Sequence, residues 1–138
     1  MSLWQMLFGF NGRIRRMHWW LVRFGVFIAA FVIMFSLVGG IGAAFGSFDN
    51  VPEAIEPIGG LMVVVIYLVV LWIELALTVK RWHDRDKSGF WYLIVLIPLV
   101  GPFWALIELG FLDGTQGPNQ YGPSPKGIGG SDLARVFS

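Results

Sequence analysis

Between Phe24 and Phe48 the chain runs for 25 residues without one charged side chain (FGVFIAAFVIMFSLVGGIGAAFGSF). A helix of about 20 mostly apolar residues crosses a hydrocarbon core about 30 Å thick, so this run alone points to a membrane as the surrounding medium. A second charge-free run, Ile58 to Ile73, continues through Glu74 to Val79 and reaches a similar length. A third apolar stretch, Phe90 to Leu112, is long enough to cross but contains Pro98, Gly101 and Pro102 at its centre and Glu108 near its end. Composition agrees: of 138 residues, 56% are hydrophobic and 14% charged. Soluble domains carry about 25% charge, and a globule this small needs that polar coverage. An ordinary soluble enzyme domain is excluded. So is intrinsic disorder, because 12 Phe and 7 Trp are foreign to disordered chains.

The chain therefore reads as an all-α integral membrane protein, a small bundle of three hydrophobic helices over about residues 21–48, 58–79 and 90–112, with Pro98 to Pro102 as the point where the third would break. Residues 1–125 read as a single membrane domain with a polar loop at 80–89, and residues 126–138 as a flexible tail. Arg13, Arg15 and Arg16 precede the first run as the basic region of a signal peptide would. Such a region is followed by an apolar core of about 7–15 residues. The run here is about twice as long, which favours an uncleaved anchor. Ahead of it, Leu3, Trp4, Met6, Leu7, Phe8 and Phe10 make a patch suited to a helical turn or two in the interface.

Orientation follows from lysine and arginine, which are retained on cytoplasmic flanks. Arg13, Arg15, Arg16 and Arg23 precede or open the first span, and Lys80, Arg81, Arg85 and Lys87 lie between the second and third: eight of the ten basic residues. The connection Asp49 to Pro57 has three acidic residues and no basic one. The N-terminus and the 80–89 loop are thus expected in the cytoplasm, with Trp19, Trp20, Trp82 and Trp91 at the interface indoles prefer. Of Lys126 and Arg135 in the tail, only Lys126 lies within the stretch of about 15–20 residues over which the rule operates, so the tail scarcely bears on its own side. Two arrangements of the third segment follow. In the preferred one it crosses and leaves the tail outside; in the other it turns at Pro98 to Pro102 and brings the tail back.

Ionisable groups inside spans are costly and call for named partners. Arg23 lies a few residues into the first span and Glu74 about six residues above Lys80 on the second. At about 1.5 Å per residue the two reach a similar depth, which makes Arg23 and Glu74 a candidate intramembrane ion pair. Glu108 sits near the outer surface in the crossing arrangement. In the hairpin arrangement it returns toward Arg23, Glu74 and Arg81 and becomes a candidate relay. The densest polar stretch holds Arg81, Trp82, His83, Asp84, Arg85 and Lys87, residues suited to contacting lipid headgroups or a partner, or to setting topology alone. Gly39, Gly40, Gly42 and Gly46 form a small-residue face on the first span, suited to packing against Gly59 and Gly60.

No reaction is spelled out. There is no HExxH, no two histidines four apart, no phosphate-binding glycine loop and no GxSxG. With no cysteine either, no metal site, cofactor or catalytic residue is assigned. A net charge of +1 gives no field for nucleic acid.

Several motifs occur in a recognisable order: Phe10-Asn11-Gly12-Arg13 with Arg15-Arg16 and Trp19-Trp20; Arg81-Trp82-His83-Asp84 with Ser88-Gly89-Phe90-Trp91; Ile97-Pro98 with Gly101; and Gly114-Thr115 through Gly117, Pro118, Asn119 to Tyr121, Gly122 and Pro125. Over roughly residues 8 to 125 the chain resembles the bacterial inner-membrane family called domain of unknown function 805. It departs from that pattern at Trp82, where the family usually has Leu, and at Lys80, where a second Arg is common; both keep bulk or charge. The resemblance implies a small inner-membrane protein of a few helices, and it brings no activity. It also implies that the His83-Asp84 loop and the tail motif of Gly117, Pro118, Asn119, Tyr121 and Gly122 act as a unit, which favours the hairpin if they touch.

The resulting expectation is a structural or accessory multi-pass inner-membrane protein whose partners are membrane lipids, a second copy or another membrane protein. The alternative is a subunit of a small oligomeric transporter or channel that uses Glu74 and Glu108. A membrane enzyme using His83 and Asp84 ranks last. The pairing of Arg23 with Glu74 predicts that Glu74→Lys abolishes accumulation of the protein in membranes and that adding Arg23→Glu restores it; immunoblots in which the double variant resembles the worse single one would refute the pairing.

Overall fold

Ser2 opens the first helix with a reciprocal cap: its hydroxyl accepts from Gln5 N at 3.2 Å while the Gln5 side chain accepts from Ser2 N at 3.0 Å. In the computed structural model, which describes residues 1–127, this helix is α1 (Leu3–Phe8). It is followed by α2 (Arg16–Phe45), a 3-10 turn (Phe48–Asn50) and α3 (Glu56–Asp84). A 3-10 segment (Gly89–Leu96), the short helix α4 (Val100–Leu106) and a π-helical turn (Ile107–Phe111) complete the element order. There is no strand among the described residues beyond a single bridge between Asn119 and Gly122. The tail expected at 126–138 lies outside the described residues from residue 128 on.

Where the sequence reads as one membrane domain, the contacts divide the chain into two compact units. One is residues Phe24–Trp72, the apolar lengths of α2 and α3 with their connection. None of its residues is buried. In the most apolar 18-residue window of α2 nothing is buried, and in that of α3 only 22% is. A core helix of a soluble protein would be mostly covered, and soluble proteins rarely expose apolar patches above a few hundred Å². Phe31, Phe35, Leu61 and Tyr67, each more than 60% exposed, are suited to contact with acyl chains. Gly46 ends α2 in the left-handed region (φ +79°), as a helix C-terminus favours, and Asn50 donates to the Phe45 carbonyl at 3.3 Å. The glycine face does not pack as expected. A Cβ at Gly39, Gly40 or Gly60 would meet nothing within 4 Å, Gly42 is covered by the Phe48 ring, and only Gly59 meets the other helix, its Cβ position lying 3.7 Å from Ile41 Cδ1.

The other unit comprises Met1–Arg23 and the chain from Ile73 onward. It contains every buried hydrophobic side chain among the described residues, namely Ile14, Trp19, Ile73, Ala76, Leu77, Trp82, Ala105 and Leu109. Positions 73, 76, 77 and 80 of α3 follow the i, i+3, i+4, i+7 spacing of one helical face, and all four are buried.

The expected third crossing helix over 90–112 does not form. Gly89–Leu96 is a 3-10 segment of eight residues, which at about 2 Å per residue spans roughly 16 Å, far short of a 30 Å core. The chain then reverses. Val100 N donates to Pro98 O at 2.7 Å and Leu99 has φ +63° and ψ −58°, the γ-turn of the rarer, strained hand. Gly101 N donates to Ile97 O at 3.0 Å, so the reversal satisfies its own backbone as apolar surroundings require. Glycine is obligatory at 101: a Cβ there would lie 1.7 Å from the Ile94 carbonyl oxygen. The Gly101→Ala variant should therefore lose at least the 1–3 kcal/mol typical of overpacking, read as a lowered thermal unfolding midpoint in detergent, with Gly60→Ala as a control that stays within about 0.5 kcal/mol of wild type.

Candidate functional site

Asp84, the last residue of α3, is held between two arginines. Its Oδ1 accepts from Arg13 Nε at 3.1 Å, and its Oδ2 pairs with the Arg81 guanidinium one helical turn back. The side chains of Arg13, Arg81 and Asp84 are 1%, 0% and 4% exposed. Two buried cations against one anion leave excess donors, and backbone carbonyls accept from them. Arg13 Nη1 donates to Gly117 O (2.8 Å) and Gly122 O (3.1 Å), and its Nη2 to Thr115 O (2.8 Å). Arg81 Nε donates to Leu109 O at 2.7 Å and its Nη2 to Leu112 O. Lys80, fully buried, donates from Nζ to Gln5 O (2.7 Å) and Met6 O at the end of α1. Cations suit helix C-terminal carbonyls because the helix dipole is negative there.

The tail closes over this cluster. Thr115 N donates to Asp84 O at 2.6 Å, Asn119 Nδ2 to His83 O at 2.8 Å, and the Tyr121 ring stacks on His83 with centroids 4.0 Å apart and planes 7° from parallel. His83 Nδ1 lies 3.2 Å from Gly12 O; a carbonyl only accepts, so Nδ1 carries the proton. Asn119 and Gly122 bond each other's backbone, and Gly122 has φ +128°, open only to glycine at little cost. Gly114 is equally constrained, since a Cβ would meet Asp84 Oδ2 at 1.9 Å. Of the tail motif, Gly117 is buried and Pro118 exposed.

The expected loop residues divide. Arg81, Trp82 and Asp84 are buried and His83 is stacked, so none of these is presented outward. Arg85 and Lys87 are 27% and 29% exposed and face Glu108. Glu108, expected near the outer surface by the crossing arrangement, instead accepts from Lys87 and, at 2.7 Å, from Trp104 Nε1, with Arg85 Nε 3.5 Å away. The reversal at Pro98 to Gly101 explains the change. Lys87 also sits over the Trp91 ring at 4.4 Å. Exposed Asp113, paired with Lys126 at 2.8 Å and Arg16 at 3.6 Å, is held below the usual carboxylate range, first by the Lys126 hydrogen bond.

Arg23 Nε lies 3.1 Å from Glu74 Oε2, and the Arg23 guanidinium sits over the Trp19 ring at 4.7 Å. No group of three or more potential metal ligands gathers among the described residues. The roles of Arg13, Lys80, Thr115 and Trp104 were not apparent in the sequence. The Phe10-Asn11-Gly12-Arg13 motif was the available signal for Arg13.

Two helices long and apolar enough to cross a membrane, a folded-back apolar segment and a buried polar cluster define a helical membrane protein. The chain belongs to the family described as "Protein of unknown function (DUF805)", whose pattern matches residues 7–123. It is 33% identical over 120 residues to "Inner membrane protein YhaI" of Escherichia coli K12, covering 86% of each chain. It is 30% identical over 118 residues to "Inner membrane protein YhaH" of the same strain, covering 86% of this chain and 88% of that one. A third relative, "Uncharacterized protein YiiR", is 30% identical over 152 aligned positions and 93% of each chain. No solved structure matches at a significant level.

Removing Asp84 would leave two buried guanidiniums without their anion, a loss that typically costs 3–5 kcal/mol. The Asp84→Ala variant is expected to unfold at markedly lower temperature and to expose residues 113–127 to limited proteolysis, whereas Asp86→Asn, at an exposed position whose left-handed backbone (φ +58°) asparagine also tolerates, should leave both readouts unchanged.

Proposed function

We propose that the chain is a non-catalytic, multi-pass inner-membrane protein of structural or accessory role, with its N-terminus, 80–89 loop and tail all cytoplasmic. The observation that carries this reading is Arg13, one buried side chain that binds Asp84 on α3 and three carbonyls of the tail. A side chain that bonds the tail and the end of α3 keeps both on its own side of a bilayer. The basic residues in those same segments favour the cytoplasmic side. With every oxygen of Asp84 engaged and His83 covered by Tyr121, the cluster works as a clasp rather than as a reactive centre.

Headgroup or partner contact then falls to what stays exposed around the clasp. Arg16 is 46% and Lys126 34% exposed, with Arg15 and His18 partly so. Basic residues next to a membrane segment attract anionic lipid by about 1 kcal/mol each. A partner of this surface is a second copy or another membrane protein. The transporter or channel alternative draws support from the unengaged Oε1 of Glu74 alone, because its Oε2 is paired with Arg23 and Glu108 is engaged by Lys87, Trp104 and Arg85.

Reporter fusions test the arrangement. A fluorescent protein joined after residue 127 should fluoresce and a phosphatase joined there should stay inactive, while a phosphatase placed at Glu53 should be active. An active phosphatase at the C-terminal junction would restore the crossing arrangement and dismantle the clasp.

A further inference from the structure

We propose that the cavity beside the Arg23–Glu74 pair binds the headgroup of a primary-amine phospholipid. The cavity, about 300 Å³ in volume, is lined by residues with polar groups, Trp19, Arg23, Glu74, Thr78 and Tyr92, and by apolar ones that include Val95, Ala105 and Leu109. That is the lower end of the range for small-molecule sites, about 300–1,000 Å³. Two of its lining residues, Pro102 and Leu106, are exposed residues of the apolar folded-back segment, so the cavity borders apolar surface there.

Two buried polar atoms in this lining have no partner in the protein and opposite needs. Trp19, 1% exposed, has an indole N–H that can only donate. Glu74 uses Oε2 for Arg23 and leaves Oε1 as an unused acceptor. Buried donors and acceptors left unpaired are costly, so a ligand that offers both a donor and an acceptor is favoured. An ethanolamine phosphate does this: its ammonium supplies N–H groups to Glu74 Oε1, and its phosphate or ester oxygens accept from Trp19 Nε1, with the Arg23 guanidinium alongside. Charge also selects. Arg23 and Glu74 sum to zero, so a zwitterionic headgroup keeps the site neutral. An anionic glycerol phosphate would add an uncompensated charge where desolvation penalises it, and a choline headgroup has no N–H to give. The exposed apolar residues Pro102 and Leu106 in its lining favour a lipid over a free amine from water.

The inference rests on the membrane embedding proposed above, which flotation of the protein with vesicles tests separately. The full chain purified in detergent is mixed in turn with phosphatidylethanolamine, phosphatidylcholine and phosphatidylglycerol, and bound lipid is counted by native mass spectrometry. One phosphatidylethanolamine per chain should be retained, with at least ten-fold weaker retention of the other two. Glu74→Gln should weaken that retention about ten-fold. Should Glu74→Gln fail to fold, Ala105→Leu decides, because it narrows the cavity without removing a polar group and should also weaken retention at unchanged helix content. Equal retention of the three lipids, or retention undiminished by Ala105→Leu, would overturn the proposal. Displacement of the lipid by an equimolar amount of free ethanolamine would overturn it in favour of a soluble amine.

Discussion

The ion cluster of Arg13, Asp84 and Arg81 is the contact on which the polar unit depends. A buried carboxylate between two buried guanidiniums is not a large source of stability in itself, because the desolvation of three charges offsets most of their attraction. Its consequence is specificity. The surplus positive charge must find acceptors, and these are the carbonyls of Thr115, Gly117 and Gly122 for Arg13 and of Leu109 and Leu112 for Arg81. Five backbone positions between residues 109 and 122 are thereby held by two side chains from distant parts of the chain. The motif glycines follow from the same demand, since a carbonyl reaches a buried guanidinium only where the backbone comes close, and Gly114 lies against Asp84 itself.

The two units answer to different solvents. Residues 24–72 bury nothing within the protein; their apolar side chains are sorted for length and hydropathy, and hydrocarbon covers them without any jigsaw of packing. The unit built from Met1–Arg23 and the chain from Ile73 has its own core, with Trp19, Trp82, Leu77 and Leu109 fully buried. Most of its buried polar side-chain atoms are matched by hydrogen bonds, and among the described residues Trp19 Nε1, Glu74 Oε1, Trp82 Nε1 and Arg85 Nε are not. The Arg23–Glu74 pair lies in this second unit, and the unpaired Trp19 and Glu74 atoms beside it are exceptions to that matching. A place where a well-satisfied structure stops satisfying its polar atoms is where a ligand is to be sought.

Much of this was legible along the chain because hydropathy is additive and local. The 25 uncharged residues from Phe24 announce a helix without reference to any other segment, and Pro98, Gly101 and Pro102 mark the weak point of the third apolar stretch. Arg23 and Glu74 stand at depths that the rise per residue makes equal, and their side chains are 3.1 Å apart. Glu108 shows the opposite case. Its segment has the length and composition of a span, so hydropathy favours a crossing. What decides instead is a γ-turn at Leu99 and a glycine pressed against the Ile94 carbonyl, backbone details that composition does not encode.

By itself the sequence determined the medium and the sorting: an all-helical membrane chain, two long apolar helices, and basic residues segregated into the segments around residues 13–23 and 80–87. These follow from one-dimensional transfer energetics, in which each residue contributes by its own partition between water and hydrocarbon. The tertiary structure decided which charges meet, that Arg81, Trp82 and Asp84 turn inward, and that the tail locks onto Arg13 and His83. Those outcomes depend on directional hydrogen bonds and close packing between residues 28 to 109 positions apart, and no local property of the chain specifies such pairings.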